Sequence, residues 1–280
     1  MKPADLSGAR DDAHLVQLWL AQRPESTRRV YAPVADDFLK ALGCSIREAS
    51  AAQVITWAEG LEGEPATRAR KVATIKSLLG WAHRVGYTVF NVGRALRCVP
   101  VPSKIHERIL EKPEVAALVE AAKPGRDRAF LRLMYVSGAR ISELCKLRWV
   151  DIRQPGRMTV LGKGRKVRTI VVPQKVLDEV LALRGPGVEL SAPVFCSMKR
   201  PGRGLGVRDA REIVYRARKR AEMDRKASPH WLRHSHATHA LDGGCPIHKL
   251  QASLGHSSLA VTGRYLHVRP SEGSSDYLDV

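Results

Sequence analysis

The chain has 280 residues, 44% of them hydrophobic and 27% charged, enough to bury the core of one large domain or two smaller ones. That composition excludes a fibrous or wholly disordered polypeptide. A net charge of +19 and a pI near 10.2 point to a polyanionic partner, nucleic acid before an anionic membrane surface.

The positive charge is uneven: residues 1–100 carry +4 and residues 101–280 carry +15, so the C-terminal part is the expected grip on the polyanion. Cys44, Cys98, Cys145, Cys196 and Cys245 are scattered and form no C-x-x-C pair, which argues against a disulfide framework and a Cys-rich zinc site. No apolar run reaches the length of a signal peptide or a membrane span. A soluble cytoplasmic protein is expected.

The first hundred residues read as helices. His14–Leu20 is an apolar first helix. Ser26 can cap a second, which places Val30, Tyr31, Val34, Phe38 and Leu42 at helical spacing. Ser50 can cap a third through Trp57, and residues 66–85 form a fourth with Val72, Ile75, Leu78, Leu79 and Ala82 on one face. Together they make a small helical bundle over 1–98. Arg68, Arg70 and Lys71, at the start of the fourth helix, are either phosphate contacts or a solvated face. Pro100 and Pro102 bar regular hydrogen bonding and mark a linker over 99–105. A second domain, 106–280, opens with a helix near Lys112–Pro113.

Within it, LRLMYVSGARISELCKLRWVD (131–151) is a helix broken at Ser137-Gly138 and resumed from Ile141, with Arg140 in the turn. An arginine at a helix start is well placed for an anion, or it pairs with Glu143. RMTVLGKGRKVRTIVV (157–172) is two strands about a Gly-rich turn that holds Lys163, with Lys166 close behind. Residues 199–226 hold eleven basic and four acidic side chains. Val207, Ala210, Ile213, Val214, Ala217 and Ala221 make an apolar helical stripe there. Arg208, Arg211, Tyr215 and Arg218 make the opposite, basic face, which suits a DNA groove or solvent.

The stretch 228–269, SPHWLRHSHATHALDGGCPIHKLQASLGHSSLAVTGRYLHVR, reads as three short helices. Ser228 caps the first, Pro229 suits its first turn, and Gly243 and Gly244 end it. Pro246 opens the second, which closes at Gly255. Ser257 or Ser258 caps the third, which carries Thr262 and Tyr265. His230 and Arg233 share a face of the first helix. His230 and His234 at i, i+4 could in principle ligate zinc, but no H-E-x-x-H and no further ligand spacing accompany them, so no metal site is assigned.

S-G-x-R-x-S-E-L, the G-K-G hairpin, H-x-L-R-H-x-x-A-T, L-G-H-S-S and T-x-x-Y, in this order, resemble the tyrosine site-specific recombinases of the phage-integrase family, especially its Xer-like members. The resemblance implies a mostly α fold with a small antiparallel β-sheet. An N-terminal helical bundle of the SAM-like, core-binding kind would clamp DNA beside an α+β catalytic domain. It implies DNA cleavage and rejoining through a 3′-phosphotyrosine bond, with no metal, ATP or other cofactor. Tyr265 would be the nucleophile, Arg140, Arg233 and His256 would hold the phosphate oxygens, His230 would take the tyrosine proton, and Lys163 (or Lys166) would protonate the leaving 5′-oxygen. Glu143 would support the site. Tyr277, in the tail, is the rival tyrosine.

The partner implied is duplex DNA with paired half-sites, bound by a chain that is monomeric when free, dimeric on one site and tetrameric in synapsis. The same chemistry would also serve a type IB-like topoisomerase or a telomere resolvase, and a DNA-binding regulator could keep the fold without cleaving.

Overall fold

The computed structural model describes residues 5–98, 101, 105–153, 155–162, 166–255, 262–263 and 265. The chain divides into two compact units, 1–102 and 103–280.

The first unit packs α1 (Asp12–Ala21), α2 (Glu25–Leu42), α3 (Ala51–Glu59) and α4 (Pro65–Arg84) around one core. Local chemistry sets the helix starts. The Asp11 carboxylate accepts the His14 N–H, and Ser50 with Gln53 forms a reciprocal capping box. Ser26 does not cap α2, because Pro24 occupies the N-cap one residue before the helix begins. Leu15, Trp19, Phe38, Ile75, Leu78 and Leu79 are buried together, with Trp19 stacked on Tyr31 at 5.4 Å.

The second unit begins with α5 (Lys112–Glu120) and then α6 (Arg126–Ser137), which carries Phe130, Leu131, Leu133 and Met134 into a single core. The short α7 (Ile141–Leu144) leads to a three-stranded antiparallel sheet in the order β1-β2-β3. β1 is Ile152–Arg153, β2 is Arg157–Leu161 and β3 is Val167–Val171. Met158 pairs with Ile170 and Leu161 with Val167, so Met158, Val160 and Ile170 turn to the core, while Val167 and Val171 stay exposed. β1 is too short, at two residues, to give a signal in the sequence, whereas α8 (Gln174–Leu181), which follows β3, was not read although Val176, Leu177 and Val180 stand at helical spacing. α9 (Val207–Arg220), α10 (Pro229–Asp242) and α11 (Ile247–Leu254) complete the described elements. The third helix expected after Gly255 falls largely outside the described residues. Thr262 and Gly263 are helical, and the Tyr265 N–H donates to the Thr262 carbonyl at 3.0 Å.

One glycine joins the fold to the site. Gly138 ends α6 at φ +59°, and a Cβ there would stand 2.4 Å from His236 Cδ2 and 2.8 Å from Leu254 Cδ2. Both the backbone conformation and the approach of α10 and α11 therefore require its missing side chain. Gly138→Ala is expected to cost about 2–4 kcal/mol, the sum of left-handed strain and overpacking. Urea denaturation of the variant against the parent checks this.

Candidate active site

Three segments far apart in sequence converge at the C-terminal end of α11. Such an end leaves carbonyls unpaired and carries the negative pole of the helix dipole. Here arginines take those carbonyls. Arg168 Nε donates to the Ser253 carbonyl at 2.7 Å, Arg233 Nη2 to that of Leu254 at 2.7 Å, and Arg140 Nη2 approaches that of Gly255 at 3.4 Å. Arg233 Nη1 also donates to the Gly138 carbonyl at 2.5 Å, tying the end of α6 to the same point.

Glu143 is the anion at the centre. As third residue of α7, its Oε2 reaches back to the Arg140 N–H at 2.7 Å, which explains the three-residue spacing in chemical terms. Its Oε1 accepts from Arg140 Nη1 at 3.0 Å, and Arg168 grips both oxygens, Nη1 at 2.9 Å and Nη2 at 2.8 Å. Arg168 is a residue the sequence reading passed over. Burial alone would raise the Glu143 carboxyl. The Arg168 fork and the Arg140 N–H outweigh that and hold it below the usual carboxylate range.

Arg140, Arg168 and Arg233 surround this one carboxylate, so positive charge is in excess among the described residues of the site. The field shows in the neighbours. Desolvation, then the Arg140 charge, brings Arg233 down to about 10, leaving it a cation at neutral pH. His230 is exposed on α10. Partial desolvation, then Arg233, Arg211, Arg140 and Arg108, lower its pKa and favour the neutral ring. Burial brings His234 and His236 each to about 4.

Tyr265 is only 6% exposed and packs with Ala237, Leu250 and Leu254. Its hydroxyl lies 2.8 Å from Nδ1 of His234, so the histidine at the tyrosine is not the one the motif suggested. His234 follows His230 by one turn on the same face, their rings 6.4 Å apart, and the three-dimensional placement of Tyr265 selects the later one. Sequence held the signal only as the i, i+4 pair. Lys163, His256 and Tyr277 lie outside the described residues, while Lys166 is exposed at the start of β3.

On α9, Arg208, Arg211 and Tyr215 are exposed opposite the buried Ala210, Ile213, Val214 and Ala217. Arg218 does not stand with them: it is half-buried, and its guanidinium donates to the carbonyls of Met223, Asp224 and Arg225 at the end of the helix. In the first unit Arg68 and Arg70 are exposed and Lys71 is half-buried. Among the described residues no group of three or more His, Cys, Asp or Glu could hold a metal ion, and no helix is long and apolar enough to cross a membrane.

Residues 108–272 match the phage integrase family. The tyrosine recombinase XerC of Mycobacterium tuberculosis (strain ATCC 25177 / H37Ra) is 33% identical over 248 residues, covering 82% of this chain and 83% of that protein. Its counterpart in Xanthomonas campestris pv. campestris (strain B100) is 35% identical over 213 residues, 73% and 64% of the two chains. Among solved structures, a lambda integrase dimer bound to a COC′ core site shares the fold with a TM-score of 0.72 at 20% identity, over 94% of this chain and 77% of that one. XerH bound to its difH substrate before cleavage gives 0.71 at 19%, over 98% and 84%. A lambda integrase tetramer on a Holliday junction gives 0.69 at 20%, over 88% and 76%.

The chain therefore belongs to the phage integrase family. Within it the chain is a Xer-like tyrosine recombinase, an enzyme of DNA strand cleavage and transfer.

The lowered histidines set an acid limb for stability. A histidine near 6.5 when unfolded and near 4 when folded binds its proton more tightly in the unfolded chain. Stability is therefore complete above about pH 6.5 and is lost as pH falls toward 4. His236→Asn is expected to flatten that loss, measured as the slope of unfolding free energy against pH between these limits.

Proposed function

We propose that Tyr265 attacks a DNA phosphate in line, forms a 3′-phosphotyrosine bond and frees a 5′-hydroxyl, which the joining step then reverses on a new partner strand. The observation that carries this reading is the excess of positive charge beside a tyrosine: three guanidiniums around one carboxylate, in the same unit as Tyr265 and with Arg233 near its hydroxyl. Arg140 and Arg233 are assigned to the non-bridging oxygens, whose charge peaks in the transition state. His256 adds a donor, and Lys163 protonates the leaving oxygen.

Tyrosine's pKa near ~10 means that the phenol needs a proton acceptor. In the free chain the hydroxyl is stored against His234 in an apolar cluster. Engagement with DNA draws it toward the arginines, where His230, its neutral ring favoured by partial desolvation and then by its cationic neighbours, takes the proton. The bond energy is conserved in the phosphotyrosine, so no ATP is consumed. The arginines supply the charge that a metal would otherwise provide.

The relatives seen as a dimer on a core site and a tetramer on a Holliday junction support a dimer on paired half-sites and a tetramer in synapsis for this chain, which is taken to be monomeric when free. The helical unit 1–98, with Arg68, Arg70 and Lys71 on α4, is assigned to a clamp on one face of the duplex.

A nicked suicide substrate on a denaturing gel tests the nucleophile. Tyr265→Phe should bind DNA as the parent does and give no covalent band. A band that persists in this variant and vanishes in Tyr277→Phe would reassign the nucleophile to the tail.

Binding should weaken steeply with salt, because each neutralised phosphate releases counterions. Arg208→Ala and Arg211→Ala should each lower affinity and reduce the salt slope by about one. Titrations between low and physiological salt read both quantities, and unchanged slopes would leave the exposed face of α9 as solvated surface.

A further inference from the structure

We propose that Arg168 is a positioning residue of this active site, setting the arginine grip on the scissile phosphate from behind without touching DNA. The inference rests on the recombinase reading above. Three features support it.

First, every part of the Arg168 fork is engaged. Nη1 and Nη2 take the two oxygens of Glu143 at 2.9 and 2.8 Å, and Nε takes the Ser253 carbonyl at 2.7 Å. Through Glu143 it fixes Arg140, both at the backbone N–H and at Nη1. Through Ser253 it fixes the last turn of α11, from which the chain passes to Gly255 and His256. One side chain on β3 thus joins the two motif segments that must meet around the phosphate.

Second, the side chain is withdrawn. It is 13% exposed, against 32% for Arg140, so Arg140 is the member of the pair that faces outward.

Third, two glycines make room for it. A Cβ at Gly162 would stand 3.3 Å from Arg168 Nη1 and 3.4 Å from Glu143 Oε1. A Cβ at Gly255 would stand 3.1 Å from Cδ, Nε and Nη1 of Arg168. The first glycine of the G-K-G turn and the glycine of L-G-H therefore line opposite sides of one buried ion pair. Lysine could not replace the arginine: a single ammonium cannot span both carboxylate oxygens and the carbonyl at once.

The test uses the full chain and the nicked duplex on which the parent forms its covalent adduct. Arg168→Lys should slow adduct formation about 100-fold, the scale of a displaced catalytic group. Affinity for the same duplex and its salt dependence should not change. Arg168→Met alone strands a buried carboxylate and can fail to fold. The paired variant Arg168→Met/Glu143→Gln removes both charges; it should fold, bind, and still cleave slowly.

Because β3 follows the turn that holds Lys163, a duplex with sulfur in place of the 5′-bridging oxygen separates two routes, since a thiolate leaves without a proton. The deficit should persist on that substrate. Cleavage at the parental rate by Arg168→Lys or by the paired variant would overturn the proposal. So would full rescue by the bridging sulfur, which would place the effect on the leaving group. Loss of DNA affinity in step with rate would make Arg168 a DNA contact instead. If the parent itself forms no adduct on any duplex, the recombinase reading fails first, and this inference with it.

Discussion

Everything at the site depends on how the carbonyl end of α11 is held. A helix end inside a protein exposes unpaired acceptors and a partial negative charge, and burial without donors would be costly. Three guanidiniums answer that need, from the turn before α7, from β3 and from α10. The same three cations exceed the single carboxylate among them. Among the described residues the site is thereby left with an excess of positive charge.

This arrangement favours function over stability. Buried charges pay a large desolvation cost that pairing only partly returns, and hydrophobic replacements in such places are often no less stable. The lowered values of Arg233, His230, His234 and His236 are signs of that cost, each driven first by desolvation, with neighbouring positive charge adding to it. The core of the second unit, centred on α6, supplies the compensating burial of Phe130, Leu131, Leu133 and Met134. Gly138 then lets α10 and α11 come close enough to that core for the arginines to reach their carbonyls.

Much of this was legible in the chain. Helical spacing foretold α3, α4, α5, α9 and α10 closely, and at α3 and α10 a capping serine at the start and a glycine at the end act locally. The G-K-G turn between alternating apolar residues foretold β2 and β3 for the same reason. β1 was missed because two residues are too few for a period to show, and tertiary packing decides such an element. Arg218 looked like part of a DNA-facing stripe, since spacing alone cannot tell that the loop after α9 turns back and offers its carbonyls.

By itself, then, the sequence determined the helical character and the basic charge of the second unit. Those properties reside in composition and in neighbours a few positions apart. Only the tertiary structure decided which groups meet. It placed Arg168 on Glu143 across 25 positions and on Ser253 across 85, and it chose His234 rather than His230 for the Tyr265 hydroxyl across 31. The physical reason is one of range: a capping bond or an apolar period is encoded within a turn or two. A guanidinium that serves a carbonyl from another element acquires its partner only when the core has brought the two together.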